Sequence, residues 1–415
     1  MADYDQRDQE LLQEWIPSQQ ERMEQLVETW SNIDSSSTHI EGLLQMHAHL
    51  FKDCLPLAGR RYSRDLSSTH RLTPSGERVE RQHPPALVVE QRLERPIRIL
   101  VGGHFDTALP LTRSQPRCRR QGERLYGSGV CDMKGGIAVC LIALEALEQS
   151  SLAHAVGWDL LLTGDEELGS PASHSLWREY AWRNRLALLF EPALEGGELV
   201  SSRKGSLNFA LFVQGQRAHA GRGADKGASA IDGLISFLYQ FKRLIEEQGK
   251  GTISYNIGQI HGGEALNVVA PKAHALINLR SDSELQFRRS EQLLQELLAQ
   301  WRFRHQRLEF HYETLSFRPP KPWRPIEQQL FDKLEQASRP WGLSLALSPS
   351  GGVCDGNLIA AEGIPTLDTL GVEGGGLHTE GEWLSLPSLS RRAQLAASLL
   401  FSVACEAMKE SGWLS

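Results

Sequence analysis

Three acidic residues stand side by side in the stretch LLTGDEELGS, directly after an apolar run. Asp165, Glu166 and Glu167 carry like charges, and burying such charges costs several kcal/mol unless something neutralises them. A metal site would explain the arrangement, because one glutamate can bind the metal while its neighbour takes a proton from water. A solvated acidic loop is the alternative interpretation of this stretch alone.

Histidines and further carboxylates recur in four other short motifs. VGGHFDT contains His104 and Asp106, and a carboxylate near a metal-bound histidine commonly supports its ring. GSGVCDMKGG surrounds Asp132 with glycines, although this residue is also a suitable N-cap for the following helix. FEPAL adds Glu191, and GGGLHTEGEW adds His378. Two histidines with three or more carboxylates suit a pair of zinc ions, so the residues alone predict a metallohydrolase.

Short apolar segments precede most of these residues. PALVVEQR, RPIRILVGGHFDT, WDLLLTGDEE and LALLFEPAL have the pattern of buried strands, and GGIAVCLIALEALEQS has that of a buried helix. The alternation predicts an α/β fold with a mostly parallel mixed sheet flanked by helices. Because functional groups gather at the carboxyl ends of strands in such sheets, we expect the acids to share one site.

The middle of the chain has a different pattern. About four alternating strands are interleaved with two amphipathic helices, which predicts a small inserted α+β domain. The proline-rich stretch FRPPKPWRP then returns the chain to the first domain. The predicted division is a catalytic domain over residues 1–204 and 318–415, interrupted by an inserted domain over residues 205–317.

Composition narrows the class of protein. The chain has 415 residues, of which 40% are hydrophobic and 23% charged, as in ordinary globular proteins. Its net charge of −7 disfavours nucleic acids and anionic membranes as partners. We find no secretory signal and no apolar run that could span a bilayer, so a cytoplasmic location is expected. Six cysteines without a CxxC pair predict reduced thiols.

Seven motifs, from about residue 40 to the end, carry a family resemblance. They are GGHFDT, GSGVCDMKGG, TGDEELGS, FEPAL, RKGSLNF with GQRAHAGR, EALNVVAPKAHALINLR and GGLHTEGEW. Their order resembles that of the dinuclear zinc hydrolases, a family that includes glutamate carboxypeptidase, aminoacylase, acetylornithine deacetylase and succinyl-diaminopimelate desuccinylase. The segment from FEPAL to AHAG and the C-terminal glycine-rich motif are most similar to the bacterial glutamate carboxypeptidase (carboxypeptidase G) branch.

The resemblance implies a zinc-exopeptidase-like catalytic domain that binds two Zn²⁺, or other divalent metals such as Co²⁺ or Mn²⁺. His104 and Glu191 would bind one metal, Glu167 and His378 the other, and Asp132 would bridge them.

The resemblance also implies roles beyond metal binding. Asp106 would orient His104, and Glu166 would be the general base that deprotonates the bridging water and passes the proton to the leaving nitrogen. His219 lies in the inserted domain, which is a ferredoxin-like lid and dimerisation domain in the family. In a homodimer this histidine would reach the partner's active site and stabilise the oxyanion.

Four further positions would bind the substrate. Asn267 and Arg280 match residues that hold the substrate's carboxylate, and an arginine can grip a carboxylate with two hydrogen bonds. Gly375 and Gly376 stand where the family's backbone lies against the substrate. The implied substrate is a small peptide or N-acyl amino acid, cleaved at the amide bond beside a free carboxylate. The alternatives are a deacetylase or dipeptidase of the same family and, in another class, a non-catalytic zinc-binding homologue.

One departure from the glutamate carboxypeptidase branch concerns specificity. That branch carries a lysine shortly after the acid that matches Glu191, where the lysine helps to hold the glutamate side chain. The corresponding stretch EGGELVSS has no lysine, and the nearest basic residues are Arg203 and Lys204. The resemblance therefore does not extend to glutamate specificity.

Overall fold

The structure, a computed structural model, describes residues 5–111, 118–249, 251–342 and 344–409. Its larger sheet contains six strands, in the spatial order Arg60–Arg64, Ala86–Gln91, Gly157–Thr163, Arg98–His104, Leu186–Leu189 and Thr366–Leu367. The first three strands pair with each other in antiparallel fashion, and the last four pair in parallel. The predicted α/β class with a mixed central sheet is confirmed.

Helices cover both faces of this central sheet. Strands Arg98–His104 and Gly157–Thr163 are buried along their whole length, as expected for strands covered on both sides. One face packs against helices His174–Arg183 and Asp355–Ala361. The other face packs against helix Gly135–Gln149, which is itself almost wholly buried. The further helices of this layer are Gln6–Glu10, Ile16–Ser18, Gln20–Ser31, Ile40–Asp53, Pro325–Ser338 and Leu386–Met408.

A second sheet forms a separate, smaller domain. Its four antiparallel strands lie in the order Ile253–Gly262, Lys272–Ser281, Gly205–Gln214 and Glu309–Arg318. Helices Ala230–Gly249 and Glu284–Arg304 cover one face and share an apolar core with the strands. The chain order is strand, helix, two strands, helix, strand, which is the ferredoxin-like arrangement. The limits at residues 205 and 317 stay predictions, and the last strand ends at Arg318.

Several short strands were not predicted from the sequence. They have two to five residues each, which is too short to produce a clear apolar alternation, and they form three small sheets apart from the central one. These strands are Thr69–Leu72, Arg78–Arg81, Arg119–Gln121, Arg124–Tyr126, Leu199–Arg203, Leu347–Ser350, Gly374–Gly375 and Trp383–Ser385.

The two chain segments that connect the domains pair with each other. Arg203 and Lys321 form an antiparallel bridge, in which the N–H of each donates to the carbonyl oxygen of the other at 2.9 and 3.0 Å. Both side chains also meet the buried carboxylate of Asp368, with Arg203 Nε at 2.9 Å and Lys321 Nζ at 3.0 Å. Burial opposes ionisation of Asp368, but the two cations hold its pKa at about 2. The paired connections are thereby anchored at the end of strand Thr366–Leu367.

None of the six cysteines forms a disulfide bond in the part of the chain that the structure describes, in agreement with the predicted reduced thiols. Within the described ranges, no helix combines the length and the apolar character that crossing a membrane requires.

Candidate metal centre

Two groups of metal-ligating side chains lie close together and share Asp132. The first group is His104, Asp132 and Glu191, and the second is Asp132, Glu167 and His378. Within each group, one ligand atom per residue lies within 4.8 Å of the others. The structure therefore brings together the five residues that the sequence motifs singled out, in the same two sets and with the same shared member.

The strands of the central sheet bring three of these residues to one edge. His104 is the last residue of its strand, Glu191 follows the strand that ends at Leu189, and Glu167 follows the strand that ends at Thr163. These three strands are parallel neighbours, so their carboxyl ends meet at the same edge.

His104 is enclosed by oxygen atoms on both of its ring nitrogens. Its Nε2 lies 3.1 Å from Oδ1 of Asp132 and 3.8 Å from Oε2 of Glu191. Its Nδ1 lies 3.0 Å from the carbonyl oxygen of Asp106 and 3.3 Å from Oδ1 of the same residue. A proton on Nδ1 can be donated to Asp106, which leaves Nε2 to bind a metal.

Asp106 contacts other residues of the site besides His104, which was the only contact predicted for it from the sequence. Its Oδ1 accepts the backbone N–H of Glu166 at 3.1 Å, and its Oδ2 accepts that of Glu167 at 3.1 Å. Oδ2 also accepts the hydroxyl of Ser37 at 2.8 Å. This fully buried carboxylate therefore fixes the ring of His104 and the backbone of both glutamates at once.

Asp132 does not cap the following helix. Its backbone is non-helical, with φ −113° and ψ 93°, and Lys134 occupies the N-cap of helix Gly135–Gln149. The carboxylate instead lies between two imidazoles, with Oδ1 near His104 and Oδ2 at 3.4 Å from Nε2 of His378. The alternative interpretation of this aspartate as an N-cap is wrong.

A buried glutamate that sequence reasoning missed holds the turn around Asp132. Glu382 accepts the backbone N–H groups of Gly129, Cys131 and Asp132 at 2.9, 2.8 and 3.0 Å. The signal in the sequence is the glycine-rich turn itself, because its exposed N–H groups need an acceptor once they are buried. The acceptor is 250 residues away along the chain, so no local pattern identifies it.

The loop that carries His378 depends on its glycines. Gly375 pairs with Trp383, and Gly376 has φ 69°, so a Cβ there would lie 2.7 Å from the carbonyl oxygen of Gly381. His378 itself has φ 58°, which is uncommon for a residue other than glycine and is concentrated at functional sites. The histidine lines a cleft together with Asp132 and Glu167.

The buried carboxylates at this edge of the sheet would be stabilised by a bound cation. Burial raises the pKa of Glu191 and of Glu167, and the charge of Asp132 raises both further against the opposing effect of His104. Hydrogen bonds to Asp132 and Glu167 raise the pKa of His378. Imidazole nitrogens and carboxylate oxygens form a donor set that suits Zn²⁺, so the residues present fit a metal site.

Glu166 lies beside the ligand groups but belongs to neither of them. Its Oε1 is 2.7 Å from Nη1 of Arg318, a residue of the smaller domain that sequence reasoning did not single out. Asp165 is fully buried, and its carboxylate accepts the N–H groups of Ala172 and Ser173 at 2.8 and 3.0 Å. Asp165 therefore stabilises the loop that leads into helix His174–Arg183.

Two predicted site residues of the smaller domain form hydrogen bonds within that domain. His219 Nδ1 accepts the N–H groups of Gly221 and Arg222 at 3.0 and 3.1 Å. The carbonyl oxygen of Asn267 accepts the N–H of Ala220 at 2.9 Å. Neither residue belongs to the ligand groups found among the described residues.

Arg280 reaches from the smaller domain to the larger one. Its Nη1 donates to the carbonyl oxygen of Gly351 at 2.8 Å, and its Nε donates to Oδ1 of Asn278 at 3.2 Å. The guanidinium therefore lies at the junction of the two domains.

Known proteins are similar to this chain in sequence and in fold. Residues 100–402 match peptidase family M20/M25/M40. Carboxypeptidase G2 from Pseudomonas sp. (strain RS-16) is 25% identical over 311 residues, which are 74% of each chain. Succinyl-diaminopimelate desuccinylase from Nitrosococcus oceani is 28% identical over 330 residues, which are 75% of this chain and 85% of the relative.

Among solved structures, the di-peptidase Dug1p from Saccharomyces cerevisiae aligns with a TM-score of 0.72 at 14% identity, over 98% of this chain and 99% of its own. This likeness shows the shared fold. The family match extends over most of the chain and includes every residue of the two ligand groups. The chain belongs to peptidase family M20/M25/M40, and it is a metallopeptidase or amidohydrolase of the kind that cleaves peptide or acyl-amino acid bonds.

Proposed function

We propose that this protein is a two-zinc hydrolase that cleaves a peptide or N-acyl amide bond next to a free carboxylate. The observation that carries the proposal is the pair of ligand groups that share Asp132. His104 and Glu191 hold one metal, and Glu167 and His378 hold the other. When bound there, Zn²⁺ supplies Lewis-acid activation of the scissile carbonyl and of water.

Glu166 is the proposed general base. It takes a proton from the attacking water and delivers that proton to the leaving nitrogen, so that the amide bond breaks to an acid and an amine. Its backbone is held by Asp106, and its Oε1 is held by Arg318. The second oxygen, Oε2, is then the one that receives the proton.

Arg280 and Asn267 are the proposed carboxylate-binding residues, and Gly375 and Gly376 form the proposed backbone wall beside the substrate. The place of Arg280 at the domain junction, where its Nη1 donates to Gly351 of the larger domain, supports this role. Glutamate-carboxypeptidase-like cleavage next to a free carboxylate is the leading proposal, without the glutamate specificity of that branch. Arg203 does not replace the missing lysine, because it is buried against Asp368.

An N-acyl-amino-acid deacetylase or a dipeptidase is the alternative within the family, and one relative is a desuccinylase. A non-catalytic zinc-binding homologue is the alternative of another class. It would need a missing ligand or base, whereas the five ligand residues are grouped and Glu166 is present beside the ligand Glu167.

A substrate panel on the zinc-loaded protein tests the proposed reaction. We expect hydrolysis among acyl-glutamates, acetyl-amino acids and dipeptides, and loss of hydrolysis for the matched C-terminal amides. Because a hydrogen bond to a charged group contributes about 1.5–3 kcal/mol, Arg280→Met should lower kcat/KM for the free acid by roughly 10- to 100-fold.

The exposed Arg288 gives a matched control, since it pairs with Glu284 on its own helix. Arg288→Met should retain full activity. Equal hydrolysis of acids and amides would contradict carboxylate recognition, and a strict requirement for a free amino group would favour the dipeptidase alternative.

We also propose a homodimer through the smaller domain. Strand Ile253–Gly262 lies at an edge of the sheet and presents unpaired backbone groups. The adjoining helix Ala230–Gly249 exposes Ile235 and Tyr239 one turn apart, at 55% and 66% exposure. His219 is proposed to stabilise the oxyanion in the partner's site, which accords with its place outside the ligand groups.

Mixing two inactive variants tests this arrangement. His219→Ala and Glu166→Gln should each be inactive alone. A mixed dimer of the two would combine an intact base on one subunit with His219 of the other, so co-refolding should restore part of the activity. A monomer in light scattering with full activity, or mixtures that stay inactive despite subunit exchange, would overturn the proposal.

A further inference from the structure

Arg318 lies in a cluster of buried polar groups next to the proposed base. Its Nη1 lies 2.7 Å from Oε1 of Glu166, and its Nη2 donates to the carbonyl oxygen of Glu166 at 3.1 Å. Nη2 also donates to Oγ of Ser170 at 2.6 Å and lies 3.2 Å from Oδ1 of Asp355. Ser170 in turn donates to the same oxygen of Asp355.

This network contains two carboxylates and one guanidinium, and all three residues are buried. Burial alone would lower the pKa of the Arg318 guanidinium, but Glu166 and Asp355 outweigh it and raise the pKa. Buried ion pairs of this kind are weak contributors to stability, because their desolvation offsets their attraction. A role in the reaction explains their presence better than a role in folding.

The two acidic residues that contact Arg318, Asp355 and Glu166, differ in their relation to the ligand groups. Asp355 is the first residue of helix Asp355–Ala361 and lies in neither ligand group. Glu166 adjoins the ligand Glu167 and is itself the proposed base. Arg318 contacts both the backbone carbonyl and the side-chain carboxylate of Glu166. These two contacts fix the backbone from which the side chain leaves and the carboxylate at its end.

We propose that Arg318 is a positioning residue that fixes Glu166 through Oε1 and directs Oε2 toward the ligand groups. The inference rests on the proposed function, in which Glu166 is the general base. Ser170 and Asp355 hold the guanidinium in place, so they act on Glu166 through Arg318.

The same contact links the base to the smaller domain. Arg318 ends the last strand of that domain, where it pairs with Ser206 of the first strand. Asp355 and Glu166 belong to the larger domain. A change in the placement of the smaller domain therefore moves the guanidinium relative to Glu166. The base is correctly held only in the relative placement of the two domains that brings Arg318 to Glu166.

The connection between the domains has a separate anchor that serves as a matched control. Lys321 is fully buried three residues after Arg318, and its Nζ lies 3.0 Å from Asp368. Lys321→Met removes a buried cation from the same connection without touching Glu166. Both variants should therefore weaken the domain junction, and only one should affect the base.

The experiment measures kcat and KM of the full zinc-loaded chain for Arg318→Met, Arg318→Lys and Lys321→Met. Because small misplacements of a catalytic group cost about 100-fold in rate, Arg318→Met should lower kcat by about that factor with little change in KM. Arg318→Lys should be intermediate, since it keeps the charge but not the fork of donors. Metal content by mass spectrometry and the affinity for a hydrolysis product by calorimetry should be unchanged in all three.

Added guanidinium should restore part of the kcat that Arg318→Ala loses. It should leave the kcat of Lys321→Met unchanged. In a Glu166→Asp background, Arg318→Met should cost much less than in the natural chain, because the shorter acid no longer reaches the arginine. Equal losses in both backgrounds, or a loss that Lys321→Met reproduces, would overturn the inference. Full activity of Glu166→Gln would instead overturn the proposed function. If Arg318→Met does not fold, the same comparison is made with Arg318→Lys, alone and combined with Glu166→Asp.

Discussion

Glu166→Gln should abolish turnover while leaving the metal content unchanged. Glutamine keeps the shape of the side chain but cannot accept the proton of the attacking water. General-base catalysis contributes about 10²- to 10⁴-fold, so we expect kcat to fall by at least that range. The ligand groups do not include Glu166, and for that reason metal binding should persist. Steady-state kinetics on the best substrate of the panel, with metal analysis of the same samples, provides the measurement.

Glu195 offers a control for loss of an acid, because it is exposed and lies in a loop. Glu195→Gln should behave like the natural chain in both measurements. Retained turnover in Glu166→Gln would remove Glu166 from the mechanism, and simultaneous loss of metal would show that it acts as a ligand.

Asp132→Ala should remove both metals, whereas His378→Ala should remove one. The reason is that Asp132 is the shared member of the two ligand groups, while His378 belongs to the second alone. Metal analysis after dialysis against a fixed concentration of free Zn²⁺ should show this difference. Turnover should be lost in both variants, because the proposed reaction uses both groups.

A thermal unfolding series gives an independent measurement of the same effect. A ligand at 100 times its Kd stabilises a folded protein by about 2.7 kcal/mol, so Zn²⁺ should raise the Tm of the natural chain. Asp132→Ala should show no such rise. Retention of two metals by this variant would contradict the bridging role.

The central part of the candidate site could be predicted because its signals are local. His104, Glu167 and Glu191 follow apolar strands, and parallel strands end at one edge, so pattern and topology together place them. Asp132 and His378 lie in glycine-rich turns that stand out in the sequence. These patterns predicted a set of histidines and carboxylates at one edge, and the resemblance then distinguished Glu167 from Glu166 and gave Asp132 the bridging place.

The supporting residues could not be predicted in the same way. Glu382 binds N–H groups about 250 residues away, and Arg318 meets Glu166 across about 150 residues. Arg318 also stands in a proline-rich stretch, where the pattern indicates only a connection between domains. Residues that position others depend on tertiary contacts, and a single sequence does not encode those contacts as a pattern.

The bridge between Arg203 and Lys321 has a consequence for how this chain can be rearranged. Since the smaller domain leaves and rejoins the larger one at adjacent points, its two ends lie side by side. A domain with neighbouring ends can be lengthened, exchanged for another or replaced by a short turn without separating the strands of the host sheet. The part that carries Arg280 and His219 can therefore change in length and sequence between two fixed ends, provided that Arg318 at the second end keeps its place beside Glu166.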